Sequence, residues 1–95
     1  PTEFILQQNY PNPFNPESTI GFALPRPAQP EMSSDSSLGR LVTRLGSSQN
    51  LPAGWHQITW DATNSIGKAV SSGIYFYRLE ANGQVIDTKK MLLIR

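Results

Sequence analysis

The sequence predicts an all-β fold, a small antiparallel β-sandwich of about seven strands. Apolar and polar residues alternate in several short runs, which is the period of a half-buried strand. Turn-forming residues stand at the junctions between those runs. No stretch carries a convincing helical period, and residues 41–45 allow one helical turn at most. With 95 residues the chain suits a single domain, 1–95, with one hydrophobic core.

Phe4-Ile5-Leu6 reads as a first edge strand. It enters Gln8 to Pro16, QNYPNPFNP, which packs three prolines and three asparagines into nine residues. Each proline fixes its own φ and removes a backbone donor. Each also drives the preceding residue out of the helical region. The segment is therefore a stiff connector rather than a helix or a central strand. Tyr10 and Phe14 are its expected anchors by burial, and its asparagines are suited to bonding local backbone.

Ser18 to Leu24 alternates, with Ile20, Phe22 and Leu24 on one face and Thr19, Gly21 and Ala23 on the other. Pro25-Arg26-Pro27 ends that strand. Gln29 to Ser37, QPEMSSDSS, has one large apolar residue, Met32, and no β-branched or aromatic one, so composition predicts that 29–37 is irregular or poorly ordered. Leu38-Gly39-Arg40 reads as a turn. Leu41, Val42 and Leu45 fit a strand or a helical turn equally well.

Leu51-Pro52-Ala53-Gly54 launches a strand from Trp55 to Trp60, with His56, Ile58 and Trp60 facing inward and Trp55 outward. A polar loop, Asp61 to Gly67, follows. Ser72-Gly73 leads into Ile74 to Leu79, where Tyr75 and Tyr77 alternate as core residues. Asn82-Gly83 is the strongest hairpin signal, because that pair accepts the positive φ of a type I′ turn. Val85 to Ile94 is the returning strand.

Composition excludes several function classes. The net charge is +1 and the charges are scattered, so no basic field attracts nucleic acid. Without cysteine there is no disulfide, thiolate metal site or cysteine nucleophile. No apolar run reaches the ~18 residues of a membrane-spanning helix, so membrane insertion is not expected. The chain starts at Pro1 without an initiator methionine or a signal-peptide pattern, and is expected to be part of a longer protein.

The one histidine, His56, falls on an inward strand face and reads as structural. No serine stands in a strained elbow of the G-x-S-x-G type, so an enzyme is not predicted. No cofactor is predicted. Asp61 and Asn64, in a loop with alternate oxygen-bearing residues, resemble half of a calcium loop, but no bidentate acid completes it. A turn in which Asp61 caps local amides is the simpler reading. Trp55, as an outward ring, raises a carbohydrate-binding appendage as an alternative.

Taken together the motifs carry a resemblance. They run Leu6-x-Gln8-Asn9-Tyr10-Pro11-Asn12-Pro13-Phe14-Asn15-Pro16, then Thr19-Ile20-x-Phe22-x-Leu24-Pro25, then Leu38-Gly39-Arg40. After these come Leu51-Pro52-Ala53-Gly54-x-His56-x-Ile58-x-Trp60-Asp61 and Gly67-x-x-Val70-x-Ser72-Gly73-Ile74-Tyr75-Phe76-Tyr77-Arg78-Leu79. The last is Lys89-Lys90-Met91-Leu92-Leu93-Ile94-Arg95. Over nearly its whole length the chain resembles the type A C-terminal sorting domain of proteins exported by the type IX (Por) secretion system. It is also similar to the immunoglobulin-like domain of flagellar hook-capping proteins.

The resemblance implies an immunoglobulin-like sandwich without catalytic activity, an address on an exported bacterial protein that is secreted or held at the cell surface after passing the periplasm. The implied partners are an outer-membrane translocon and a sortase-like peptidase. Lys89, Lys90, Met91, Leu92, Leu93, Ile94 and Arg95 match the last strand, our candidate for translocon recognition by pairing along an exposed edge. The competing reading is a structural module that forms homo-oligomers by strand pairing in a filament or surface layer. One departure stands out: the family's alternating V-x-L-x-V-Y-D strand is replaced here by Pro30 to Ser37.

Overall fold

A computed structural model describes residues 1–46 and 48–95. It is all-β and has seven strands: β1 (Ile5–Leu6), β2 (Ser18–Leu24), β3 (Pro30–Ser36), β4 (Leu41–Leu45), β5 (Gly54–Trp60), β6 (Gly73–Ala81) and β7 (Gln84–Leu93). They form two antiparallel sheets, ordered β1-β2-β5 and β4-β3-β6-β7. Lettered A to G, the sheets are ABE and DCFG. This is the immunoglobulin arrangement with the fourth strand moved from the first sheet to the second.

The core lies between the sheets. Ile20, Phe22 and Leu24 of β2 and Trp60 of β5 meet Met32 of β3, Tyr75, Tyr77 and Leu79 of β6, and Met91 and Leu93 of β7. These positions are two residues apart along each strand because successive side chains point to opposite faces. The hairpin between β6 and β7 turns at Asn82 and Gly83, both at positive φ (54° and 77°). That is the geometry expected of the Asn-Gly pair.

Four expectations change. Residues 30–36 are an ordered strand, not an irregular segment: β3 pairs with β6 from Pro30↔Ala81 to Ser36↔Tyr75 and with β4 on its other side. Two neighbours supply its backbone hydrogen bonds, so strand formation there does not depend on its own apolar residues. Residues 41–45 are a strand rather than a helical turn, because β3 offers them an edge. β2 is covered on both faces: Gly21 and Ala23 are buried as well as Ile20 and Phe22. The Gln7 side chain lies over Gly21, where a Cβ would collide with Gln7 Oε1. Tyr10, expected as a buried anchor, is 80% exposed, while Phe14 is 2% exposed.

The unusual composition of β3 leaves its mark on packing. A cleft of about 260 Å³ opens between the β4 and β5 sides, lined by Phe22, Met32, Leu45, Ile58 and Leu79, and β3 brings only Pro30 and Met32 to it. Further along the same face Ser34 is fully buried and its hydroxyl has no partner among the described residues. A desolvated, unpaired hydroxyl costs free energy that its removal recovers. Ser34→Ala is therefore expected to stabilise the fold by about 1 kcal/mol. Urea unfolding should show a higher midpoint at unchanged slope; a lower midpoint would mean that the hydroxyl is satisfied.

Candidate recognition surface

The proline-rich segment and the last strand are bolted together by contacts between residues 80 or more apart in sequence, such as Asn12 with Leu92 and Gln8 with Lys90. Phe14 N–H donates to Leu92 O (2.9 Å) and Ile94 N–H donates to Phe14 O (3.0 Å). Leu92 N–H donates to Asn12 Oδ1 (3.0 Å), and Gln8 Nε2 donates to Lys90 O (2.7 Å). Below this seam the Phe14 ring is tilted against Trp60, centroids 5.9 Å apart, and Trp60 meets Tyr75 edge-on at 5.3 Å.

Asn9 and Tyr77 hold the start of the segment. Asn9 is buried and its amide donates to Ser18 Oγ (2.8 Å) and Pro11 O (3.1 Å). Tyr77 hydroxyl donates to Gln7 O (2.7 Å) and accepts from Asn9 N–H (2.8 Å). Burial pushes the Tyr77 pKa up to about 12; the bond from the Asn9 backbone works against this and the Asp87 charge adds to it. Pro11, Pro13, Asn15 and Pro16 are exposed around these anchors. The bonds preceding Pro11, Pro13 and Pro16 are cis.

The far end of β7 is held by a second knot. Arg95 N–H donates to Ser72 Oγ (2.8 Å), and its guanidinium donates to Val70 O and to Ala62 O. Tyr75 hydroxyl donates to Ser71 O (2.6 Å), four residues upstream at the start of β6. This is the tyrosine-corner contact of immunoglobulin-like sandwiches. Trp60 Nε1 donates to Thr63 O (2.9 Å). Gly54, entering β5, and Gly67, in the loop, both have positive φ (125° and 81°), which suits the residue without a Cβ. Gly73 opens β6 beside Ser72. Trp60, Asp61, Gly67, Ser72, Gly73 and Tyr75 thus lie toward one end of the sandwich, whereas Gly54 starts β5 at the other end, paired with Leu24.

The loop from Asp61 is organised differently from the expectation. Asn64, not Asp61, caps the turn: its Oδ1 accepts from Ile66 N–H (3.1 Å) and Lys68 N–H (3.0 Å). Asp61 accepts from the Thr63 hydroxyl. Both oxygens are thus committed to local bonds, and no group of three or more His, Asp or Glu stands together among the described residues. His56 stacks on Phe22 with centroids 5.5 Å apart, and its Nε2 lies 2.8 Å from Pro52 O.

Pairing along the Lys89–Arg95 strand, expected from the sequence as the mode of reading, meets an edge that is already occupied at its centre. The Leu92 and Ile94 backbone groups that face away from β6 already bond Asn12 and Phe14, and Thr88 N–H is taken by Asp87 Oδ1. What this end presents is side chains. Lys90, Leu92, Ile94 and Ile74 are exposed, and Met91 and Leu93 are buried. A shallow depression lined by Asn12, Ile74, Lys90, Met91 and Leu92 runs between the two motifs. Sequence reasoning missed this seam, because nothing in the residues of β7 marks Gln8, Asn12 and Phe14 as its partners.

No protein-family model matches the chain, and no curated protein matches it in sequence. Solved structures do match its shape. The chain is similar to part of dimeric latent PorU from Porphyromonas gingivalis (TM-score 0.73, 23% identity, 97% of this chain). It is similar to part of PorZ from the same organism, described as an essential bacterial surface component of the type IX secretion system (TM-score 0.61, 21% identity, 93% of this chain). It is also similar to part of the Pseudomonas fluorescens alkylpurine DNA glycosylase AlkC, solved on DNA containing an abasic-site analogue (TM-score 0.53, 16% identity, 99% of this chain). The chain spans 9%, 11% and 31% of these three chains. At such identities the likeness shows the shared sandwich, a fold that serves unrelated functions.

Proposed function

We propose that this chain is a sorting and anchoring domain of the type IX secretion system, an address on a secreted or surface-held bacterial protein rather than an enzyme. The observation that carries the reading is the seam. Two of the segments that carry the family resemblance, Gln8 to Pro16 and Lys89 to Arg95, are joined by backbone and side-chain hydrogen bonds. The likeness to a part of PorZ, a surface component of that system, supports it. The outer-membrane translocon reads the folded surface through Lys90, Leu92, Ile94 and Ile74 rather than by adding a strand. A sortase-like peptidase acts on the cargo after export, which proceeds through the periplasm.

Deleting Lys89–Arg95 does not test this, since it removes the buried Met91 and Leu93 and with them the fold. The discriminating experiment fuses the chain to the C-terminus of a reporter in a host with a type IX system. Lys90→Glu combined with Ile94→Ser changes two exposed side chains of this surface, Ile94 being 50% exposed. The parent fusion is expected at the cell surface or in the medium, and the double variant in the periplasm with unchanged unfolding. Equal export of both, or no export of the parent, overturns the proposal.

A further inference from the structure

The two outer faces of the sandwich differ in chemistry. The outer face of the four-stranded sheet is laced with charge: Glu31 with Arg44, Arg78 with Glu80, and Asp35 and Lys90 on either side of Phe76. The outer face of the three-stranded sheet carries none. Its outward positions on β1, β2 and β5, all among the described residues, are Ile5, Thr19, Gly21, Ala23, Trp55, Gln57 and Thr59.

That uncharged face is bounded by two exposed rings. Trp55, 55% exposed, stands across from Ala23, and Tyr10, 80% exposed, is bridged to Thr19. Strand geometry puts their Cα atoms about 17 Å apart along a diagonal of the sheet. Beside Tyr10 lies a trough of about 320 Å³ lined by Gln7, Gln8, Tyr10, Thr19, Gly21 and Gln57, and Trp55 stands two residues beyond Gln57 on the same face of β5. At its floor the Gln7 carboxamide occupies the space above Gly21 that a side chain there would fill. Thr19 and Thr59 hydroxyls lie 3.2 Å apart at its rim.

We infer that this trough is a binding site for a neutral oligosaccharide of several units. A pyranose ring offers an apolar C–H face that covers an aromatic ring and a hydroxyl belt that both donates and accepts. Trp55 and Tyr10 supply the rings. Gln7, Gln57 and the threonines supply groups that likewise donate and accept. The absence of charge on this face disfavours anionic polymers held by ion pairs. The separation of the rings suits an extended chain rather than one sugar. The trough borders the seam, since Gln8 lines it and also bonds Lys90 O, while Trp55 and Gln57 lie on β5, away from β7.

Affinity electrophoresis of the full chain in gels containing hydroxyethylcellulose, xyloglucan, mannan or galactan tests it, with alginate as the anionic comparison. At least one neutral polymer is expected to retard the chain, with retardation unchanged at about 1 M salt, where surface ion pairs are screened. Trp55→Ala and Tyr10→Ala should each weaken binding about tenfold, ~1.4 kcal/mol. Tyr10 is so exposed that its loss leaves the fold intact, and Leu41→Ala on the opposite sheet should change nothing. Three outcomes overturn the inference: no retardation by any neutral polymer, retardation indifferent to both ring substitutions, or retention by alginate alone that salt abolishes.

Discussion

Phe14→Ala is expected to destabilise the fold by about 3–5 kcal/mol, the range for truncating a fully buried phenylalanine. Phe14 is 2% exposed and leans on Trp60, so its removal opens a cavity at the joint between the proline-rich segment and the core. The same residue exchanges two backbone bonds with Leu92 and Ile94. Loss of the ring should therefore free the segment before the sandwich unfolds. Chemical denaturation measures the first effect. Native-state hydrogen exchange measures the second, as faster exchange at the Phe14 and Ile94 amides than in β2 or β6. A loss below about 1 kcal/mol would mean that the ring does not staple the segment.

Tyr77→Phe is the other substitution with a large effect. Its hydroxyl serves two backbone groups at once, Gln7 O and Asn9 N–H, and Asn9 is buried. Deleting it orphans both, a loss of about 2–4 kcal/mol. The tyrosine also makes stability depend on alkaline pH. Its folded pKa is raised from 10.0 to about 12. The folded state therefore holds its proton where the unfolded state releases it. That contribution is fully present below pH 10 and drains away as pH rises from 10 to 12, by at most about 3 kcal/mol. Measured as the difference between the parent and Tyr77→Phe, stability should converge as pH rises through this window. A constant difference from pH 8 to pH 12 would contradict the assignment.

Much of the architecture was legible in the residues. In β5 the alternation correctly turned His56, Ile58 and Trp60 toward the core and Trp55 toward solvent. Asn82-Gly83 marked its hairpin because few other pairs accept two consecutive positive φ values. These are local properties, readable within a few residues. β3 was not legible, since Pro30, Met32 and Ser34 carry no strand pattern on their inward face and the strand exists because β4 and β6 flank it. Tyr10 and Phe14 looked alike, two rings among prolines. Which one enters the core is decided by the path that Phe14 takes beside Leu92 and Ile94.

The candidate surface divides along the same line. The sequence singled out Gln8 to Pro16 as a motif and Lys89 to Arg95 as a candidate contact strand, and it placed Trp55 outward. That the first segment occupies the edge of the second was not legible, because hydrogen bonds between backbones leave no trace in side-chain composition. Nor could the uncharged trough be seen, since it needs Tyr10 outside, Gly21 beneath Gln7, and β5 laid beside β2. The sequence by itself determined the all-β class, most strand positions and the turn at Asn82-Gly83, all through short-range periodicity and φ preference. Only the tertiary structure decided the order of strands in β3's sheet, the fate of Tyr10 and the occupied edge of β7. Each of those depends on contacts between residues far apart in the chain.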